Sequence, residues 1–200
     1  KTKIAAARTA YDALTDAQKS LVNSDKKGAL ESAEKVYHAM DLINQIGTPI
    51  TMSSKAKIDA ARAAYNALPN ATEKGKVTNY TTLTTAETVF AVVKKIDDID
   101  TVAATTACKE KIDAARIAYT GLTNDQKAMV GNYSTLQDAE KVYSVMNLIN
   151  QIGTPVTLNS KDKIAAARTA YDALTSAQKN KVSNSSIDTL KAAEVSYVKS

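Results

Sequence analysis

The phrase KIAAARTAYDALT stands unchanged at residues 3–15 and again at 163–175, and looser copies, KIDAARAAYNALP and KIDAARIAYTGLT, occupy 57–69 and 111–123. One unit of about 53 residues is thus written four times, and self-similarity at such a period is the signature of a repeat array. A chain of this kind folds as several small units with similar interiors, not around one large core. The period sets the repeats at 1–52, 53–106, 107–158 and 159–200. The sequence begins inside a repeat, with no signal-peptide pattern, and the fourth copy stops before its last helix reaches the length seen in the first and third. Both ends read as cuts through a longer array.

Each unit reads as three helices. In the first, Ile4, Ala7, Tyr11 and Leu14 step by three and four, and the same residue types recur at Ile58/Ala61/Tyr65/Leu68, Ile112/Ala115/Tyr119/Leu122 and Ile164/Ala167/Tyr171/Leu174. That spacing places them on one stripe, the expected core face. Ser54 and Ser160, just ahead of the first helices of copies two and four, are expected N-caps. A short second helix starts at Thr15 with Gln18 three residues on, a capping box in which the Thr hydroxyl and the Gln side chain each satisfy a backbone N–H. The box recurs at Thr123/Gln126 and Thr175/Gln178; in copy two, Pro69 is inserted and Asn70 with Glu73 takes over one residue later.

The third helix is long, about residues 28–46, with Leu30, Ala33, Tyr37, Met40 and Ile43 repeated as Leu136, Ala139, Tyr143, Met146 and Ile149. Ser134 with Gln137 suggests a further capping box at its start in copy three. Gly47 then Pro49, and Gly153 then Pro155, close it, the glycine taking a left-handed conformation and the proline preventing continuation. Towards its end this helix is apolar on more than one side, so the extra face is expected to dock on the next repeat. The second junction has Asp97-Asp98-Ile99-Asp100 and neither Gly nor Pro, which predicts a helix that runs on or a different bend. The expected fold is all-α: a tandem array of four small three-helix bundles, long-short-long, forming an elongated rod.

Composition narrows the function classes. The 44% hydrophobic content is rich in Ala and Val with no Trp, as suits helical protein. No apolar run approaches the roughly 20 residues a membrane span requires, so no membrane insertion is expected. The single cysteine, Cys108, excludes an internal disulfide framework and a cysteine-based zinc site, and it sits where other copies carry Ser53 or Ser160. The net charge of +5 comes almost wholly from lysines interleaved with acids, without a nucleic-acid-binding motif, so no nucleic-acid partner is expected. His38 is the one histidine and does not recur. No Ser/His/Asp or Cys/His pairing and no Gly-rich phosphate loop can be assembled, so no enzyme activity and no cofactor are expected.

The four arginines, Arg8, Arg62, Arg116 and Arg168, hold one position in the repeat, and Glu34, Glu87, Glu140 and Glu194 hold another. Both flank their core stripes, which points to a structural Arg–Glu pair between the first and third helices, the Arg stem covering apolar surface. The rival is an Arg row along the array that grips an anionic ligand. Tyr80 and Tyr133, beside Asn79 and Asn132 between the second and third helices, are the tyrosines better placed to touch a partner. Asp97, Asp98 and Asp100 could hold Ca²⁺ or Mg²⁺ through carboxylate oxygens, but lack a Gly turn and EF-hand spacing; a solvated acidic helix end is the simpler account.

The pattern KI(A/D)AAR-x-AY-x-(A/G)LT-x-x-QK, then L-x-x-AE-x-x-(Y/F) and LINQIGTP(I/V)T, resembles the tandem helical repeats, FIVAR-like modules among them, of large surface and secreted proteins of Gram-positive bacteria. The resemblance covers essentially the whole chain and is one of repeat style. It implies an extracellular, wall-associated spacer, or else a binding module of the S-layer or adhesin kind that holds cell-wall polysaccharide or a protein ligand. It assigns no catalytic residues.

Overall fold

In the computed structural model, which describes residues 1–198, the chain is all-helical. Copy one supplies α1 (Thr2–Asp12), α2 (Asp16–Leu21) and α3 (Ser24–Asn44); copy two supplies α4 (Lys55–Asn66), α5 (Ala71–Gly75) and α6 (Tyr80–Asp97). Copy three forms α7 (Thr106–Thr120), α8 (Asn124–Ala128) and α9 (Tyr133–Asn150), and copy four α10 (Lys161–Asp172), α11 (Ser176–Lys179) and α12 (Asn184–Val198). Residues 199 and 200 of the fourth repeat lie outside the described residues. The chain divides into two compact units, one of residues 1–90 and one from residue 91 onward.

Within the first unit α1 packs on α3, and α3 also packs on α4 and α5 of the following copy. Within the second, α7 packs on α9, and α9 in turn packs on α10, α11 and α12. The long helix of a copy therefore serves two sets of neighbours, and its sequence has two apolar faces to do so. Val36, Ala39 and Ile43 are buried on α3, and Leu136, Ala139, Val142, Val145, Met146 and Ile149 on α9. The second face begins in the middle of the helix, earlier than the apolar end alone suggests. The aromatic positions Tyr37, Phe90, Tyr143 and Tyr197 stay half-buried, as do Tyr11, Tyr65, Tyr119 and Tyr171 of the first helices. Each fully buried Ile or Leu, such as Ile43 or Leu136, stabilises the fold by about 2 kcal/mol.

The core stripe of the first helix is closed in copies two to four and open in copy one. Ala61, Ala115 and Ala167 are fully buried, whereas Ala7 is exposed and no residue of α1 is buried. α4 and α10 each lie against the long helix of the copy before them, and α1 has no such neighbour.

Capping follows the sequence in part. Thr15, Thr123 and Thr175 form complete boxes with Gln18, Gln126 and Gln178. Asn70 Oδ1 accepts from the Glu73 N–H, but the Glu73 carboxylate turns elsewhere, so this box is half made. Ser54 and Ser160 stand at the N-cap positions of α4 and α10 without capping them; each hydroxyl accepts from the N–H of Thr51 or Thr157, holding a single 3₁₀ turn ahead of the helix. Cys108 is their buried counterpart, its Sγ accepting from the Ala103 N–H, so Ser54 rather than Ser53 is its equivalent. No Ser134–Gln137 box forms, because α9 begins two residues earlier, with Asn132 at its N-cap.

At the junctions Gly47 and Gly153 have φ of +68° and +73°, and the peptide bonds Thr48–Pro49 and Thr154–Pro155 are cis. α6 does not run on: it ends at Asp97, in register with Asn44 and Asn150, and Asp100 takes the glycine position with φ of +53°. Aspartate, like asparagine, tolerates the left-handed region better than most non-glycine residues, which preserves the turn without the glycine. Asp100→Gly should therefore change stability by less than about 1 kcal/mol, relief of the backbone being offset by added freedom in the unfolded chain. Asp100→Val should cost more than about 1 kcal/mol, since a β-branched residue is least at home there. Urea midpoints of the two variants check this; equal midpoints sink the account.

Candidate functional site

The polar residues that recur in every copy meet at one place. Arg8 projects from α1 to α3 and donates from Nε and Nη2 to the two carboxylate oxygens of Glu34, both at 2.7 Å. Arg62 binds Glu87 in the same bidentate way at 2.6 and 2.5 Å, Arg168 binds Glu194 at 2.6 and 2.8 Å, and Arg116 binds Glu140 alike. The planar guanidinium matches a carboxylate with two parallel hydrogen bonds, a geometry lysine cannot reproduce. Both side chains of each pair remain about one third exposed, so solvent screens the attraction and keeps it modest.

The remaining arginine nitrogen is also engaged, by two different means. In copies one and four Nη1 faces Asp12 or Asp172, one turn along the same helix, at 3.5 Å. Copies two and three carry Asn66 and Thr120 there. In them Nη1 donates instead to the hydroxyl of Tyr80 at 3.4 Å or Tyr133 at 3.2 Å. Tyr80 and Tyr133 are the first residues of α6 and α9, half-buried, and their rings stack on Tyr65 and Tyr119 with centroids 4.3 and 4.0 Å apart. The arginine carbon Cζ lies within 5.7 Å of the ring centroids in these clusters, within range of a cation–π attraction.

A lysine from the short helix completes each group. Lys19, Lys74, Lys127 and Lys179 set their ammonium groups 5.9, 5.8, 5.9 and 5.4 Å from the centroids of Tyr11, Tyr65, Tyr119 and Tyr171. The first helix thus holds the third through Arg and the second through Tyr. The hydrogen bonds from Arg8 and Arg168 hold the Glu34 and Glu194 carboxyls below the usual carboxylate range.

A second set of polar contacts joins one copy to the next, and sequence reasoning missed it. Asn79 Nδ2 donates to the Met40 carbonyl at 2.9 Å and to Asn44 Oδ1, and Asn132 Nδ2 donates to the Val93 carbonyl at 2.9 Å. Met40 and Val93 hold the same repeat position, near the C-terminal ends of α3 and α6. The signal was present: an asparagine recurs four residues before Leu83 and Leu136. Nearby, Ser32 of α3 donates to Glu73 Oε1, and Lys76 stands 3.6 Å from that carboxylate. In the second unit the charge has changed sides. Asp138 of α9 accepts from Gln178 Nε2 and from Lys181 Nζ, each at 2.8 Å. Those two bonds, Gln178 first, hold the Asp138 carboxyl below its ordinary value.

Asp97, Asp98 and Asp100 are all exposed, and Lys94 binds both oxygens of Asp98 at 2.9 Å. Among the described residues no three His, Cys, Asp or Glu side chains converge as a metal site would require. His38 is exposed. Among the described residues no helix is long and apolar enough to cross a membrane. Comparison of the chain with protein-family models, with curated proteins and with solved structures finds no match.

Two measurements test these clusters. A double-mutant cycle on Arg62 and Glu87, each replaced by Ala, should give a coupling energy of about 1 kcal/mol; zero coupling removes the pair from the stabilising interactions. The lowered carboxyls of Glu34, Asp138 and Glu194 bind fewer protons folded than unfolded, so stability rises with pH through their window. Their contribution is complete above the unfolded value near 4.3 for Glu and 3.9 for Asp and is lost as pH falls through the folded values. The urea midpoint should drop on acidification below about pH 4.5. Replacing all three by Gln or Asn should flatten that slope; an unchanged slope overturns the assignment.

Proposed function

We propose that the chain is a non-catalytic spacer, a stalk segment of a bacterial cell-surface or secreted protein, in which four small three-helix units form an elongated rod in or beyond the cell wall. The observation that carries this reading is how the recurrent polar side chains are used. Arg and Glu bind each other, and Tyr takes its lysine and arginine, in all four copies. What selection repeated four times is internal bracing, and bracing repeated along a chain serves length and stiffness. The resemblance to wall-associated repeat modules points the same way, and the reading needs no cofactor.

A binding array is the second reading, and one observation favours it. In the second unit a recess of about 470 Å³ lies among Asp100, Thr101, Val102, Lys181 and Asn184, at the divergent junction and a loop; Asp100 and Val102 stand where the other junctions carry Gly and Pro. Its polar lining suits a cell-wall polysaccharide or a loop of a protein ligand, and the net charge of +5 favours anionic wall polymers.

Small-angle scattering and a cell-wall sedimentation assay separate the two. The spacer reading expects a maximum dimension well beyond that of a 200-residue sphere and no co-sedimentation with purified walls. Salt-sensitive wall binding, lost in Lys181→Glu, would replace the spacer with the array.

A further inference from the structure

The same thirteen residues, KIAAARTAYDALT, occur in two environments in one molecule. In copy four, lying against α9, Ile164, Ala167 and Leu174 are 7%, 0% and 7% exposed. In copy one the identical Ala7 is exposed and Ile4 and Leu14 are half-exposed. The difference continues beyond the phrase: Val182 and Leu190 are buried, their counterparts Val22 and Leu30 half-exposed. Leu21 is 84% exposed. Ala7, Ala10, Leu14, Val22 and Leu30 line an open groove of about 350 Å³. α1 has α3 beside it as α10 has α12; what it lacks is the counterpart of α9.

The polar rim of the face has the same history. Gln178 and Gln18 hold identical positions in their capping boxes. Gln178 is buried, with its amide nitrogen donating to Asp138 of the preceding copy. Gln18 makes the same bonds within its box, yet it is exposed and, among the described residues, its amide nitrogen has no acceptor. A repeat that terminates an array presents a polar outer face; this one presents leucine, valine and alanine.

We propose that the outer face of the first repeat, formed by α1, α2 and the start of α3, is an acceptor for another repeat of the 107–158 type. Its long helix lies on α1 as α9 lies on α10, and its carboxylate at the position of Asp138 takes the Gln18 amide. The α9–α10 interface is the template, because residues 3–15 repeat residues 163–175 without change. The inference concerns an interface and is independent of the spacer reading.

The test joins a second copy of residues 107–162 directly to Lys3 of the chain, which recreates the natural run into KIAAARTAYDALT. Hydrogen exchange should show the amides of α1 slowing at least tenfold, towards the rates of α10 in the same chain. Asp138→Ala in the added copy alone should return part of that protection. A longer extension, residues 53–162 joined to Lys3, repeats the measurement with two added repeats in natural order, so the result does not hang on a lone added repeat folding. If α1 exchanges at its original rate in that chain, the proposal is wrong. Protection of α1 in the unextended chain by an anionic glycerol-phosphate polymer, with none from either extension, would overturn it too and give the face to a wall polymer.

Discussion

The bidentate Arg–Glu clamp between the first and third helices is the constraint on which the rest of each repeat depends. Its strength is modest, since both partners remain about one third exposed. Its geometry matters more. Two parallel hydrogen bonds fix both the separation and the rotation of one helix against the other. Once α1 is set against α3, Tyr11 falls under Lys19 of α2, and the short helix is held without a large apolar face of its own. With little aromatic mass and no Trp, the repeats use directional polar contacts where larger domains rely on bulk.

The clamp also shows how a repeat tolerates divergence. The arginine Nη1 is served by an acid from its own helix in copies one and four, and by a tyrosine from the third helix in copies two and three. Loss of Asp at the position of Asn66 or Thr120 coincides with gain of Tyr80 or Tyr133. The position is filled by different chemistry, and the donor is kept satisfied.

Much of this was legible in the sequence because it depends on local spacing. The helices, the Thr–Gln boxes and the left-handed glycines follow from three- and four-residue periodicity and from single-residue conformational preference. The bridging of Arg8 to Glu34 was readable from shared recurrence beside two core stripes. Contacts between copies were not. Asn79 and Asn132 look like turn residues, and only the tertiary arrangement shows that they reach the carbonyls of Met40 and Val93. Tyr80 and Tyr133 read as free because their partners, Tyr65 and Tyr119, lie on another helix. The second apolar face of the long helix was hidden for a related reason: two overlapping stripes blur the single period that reveals one. Asp100 marks the limit of composition as a guide, since a turn that favours glycine is kept by one of the few other residue types that tolerate its φ.

The carboxylate that changes sides between the two units gives the repeats an order. Copy two brings Glu73 and Lys76 to a neutral Ser32, and copy four brings Gln178 and Lys181 to an acidic Asp138. If copy three were spliced ahead of copy two, Asp138 would face Glu73, with Lys76 the one cation between two acids. Repeats with identical stretches are prone to lose or shuffle copies when their coding DNA recombines. A charge that fits only its own neighbour makes such products fold less well, so the interface acts as a grammar for the array as well as its glue.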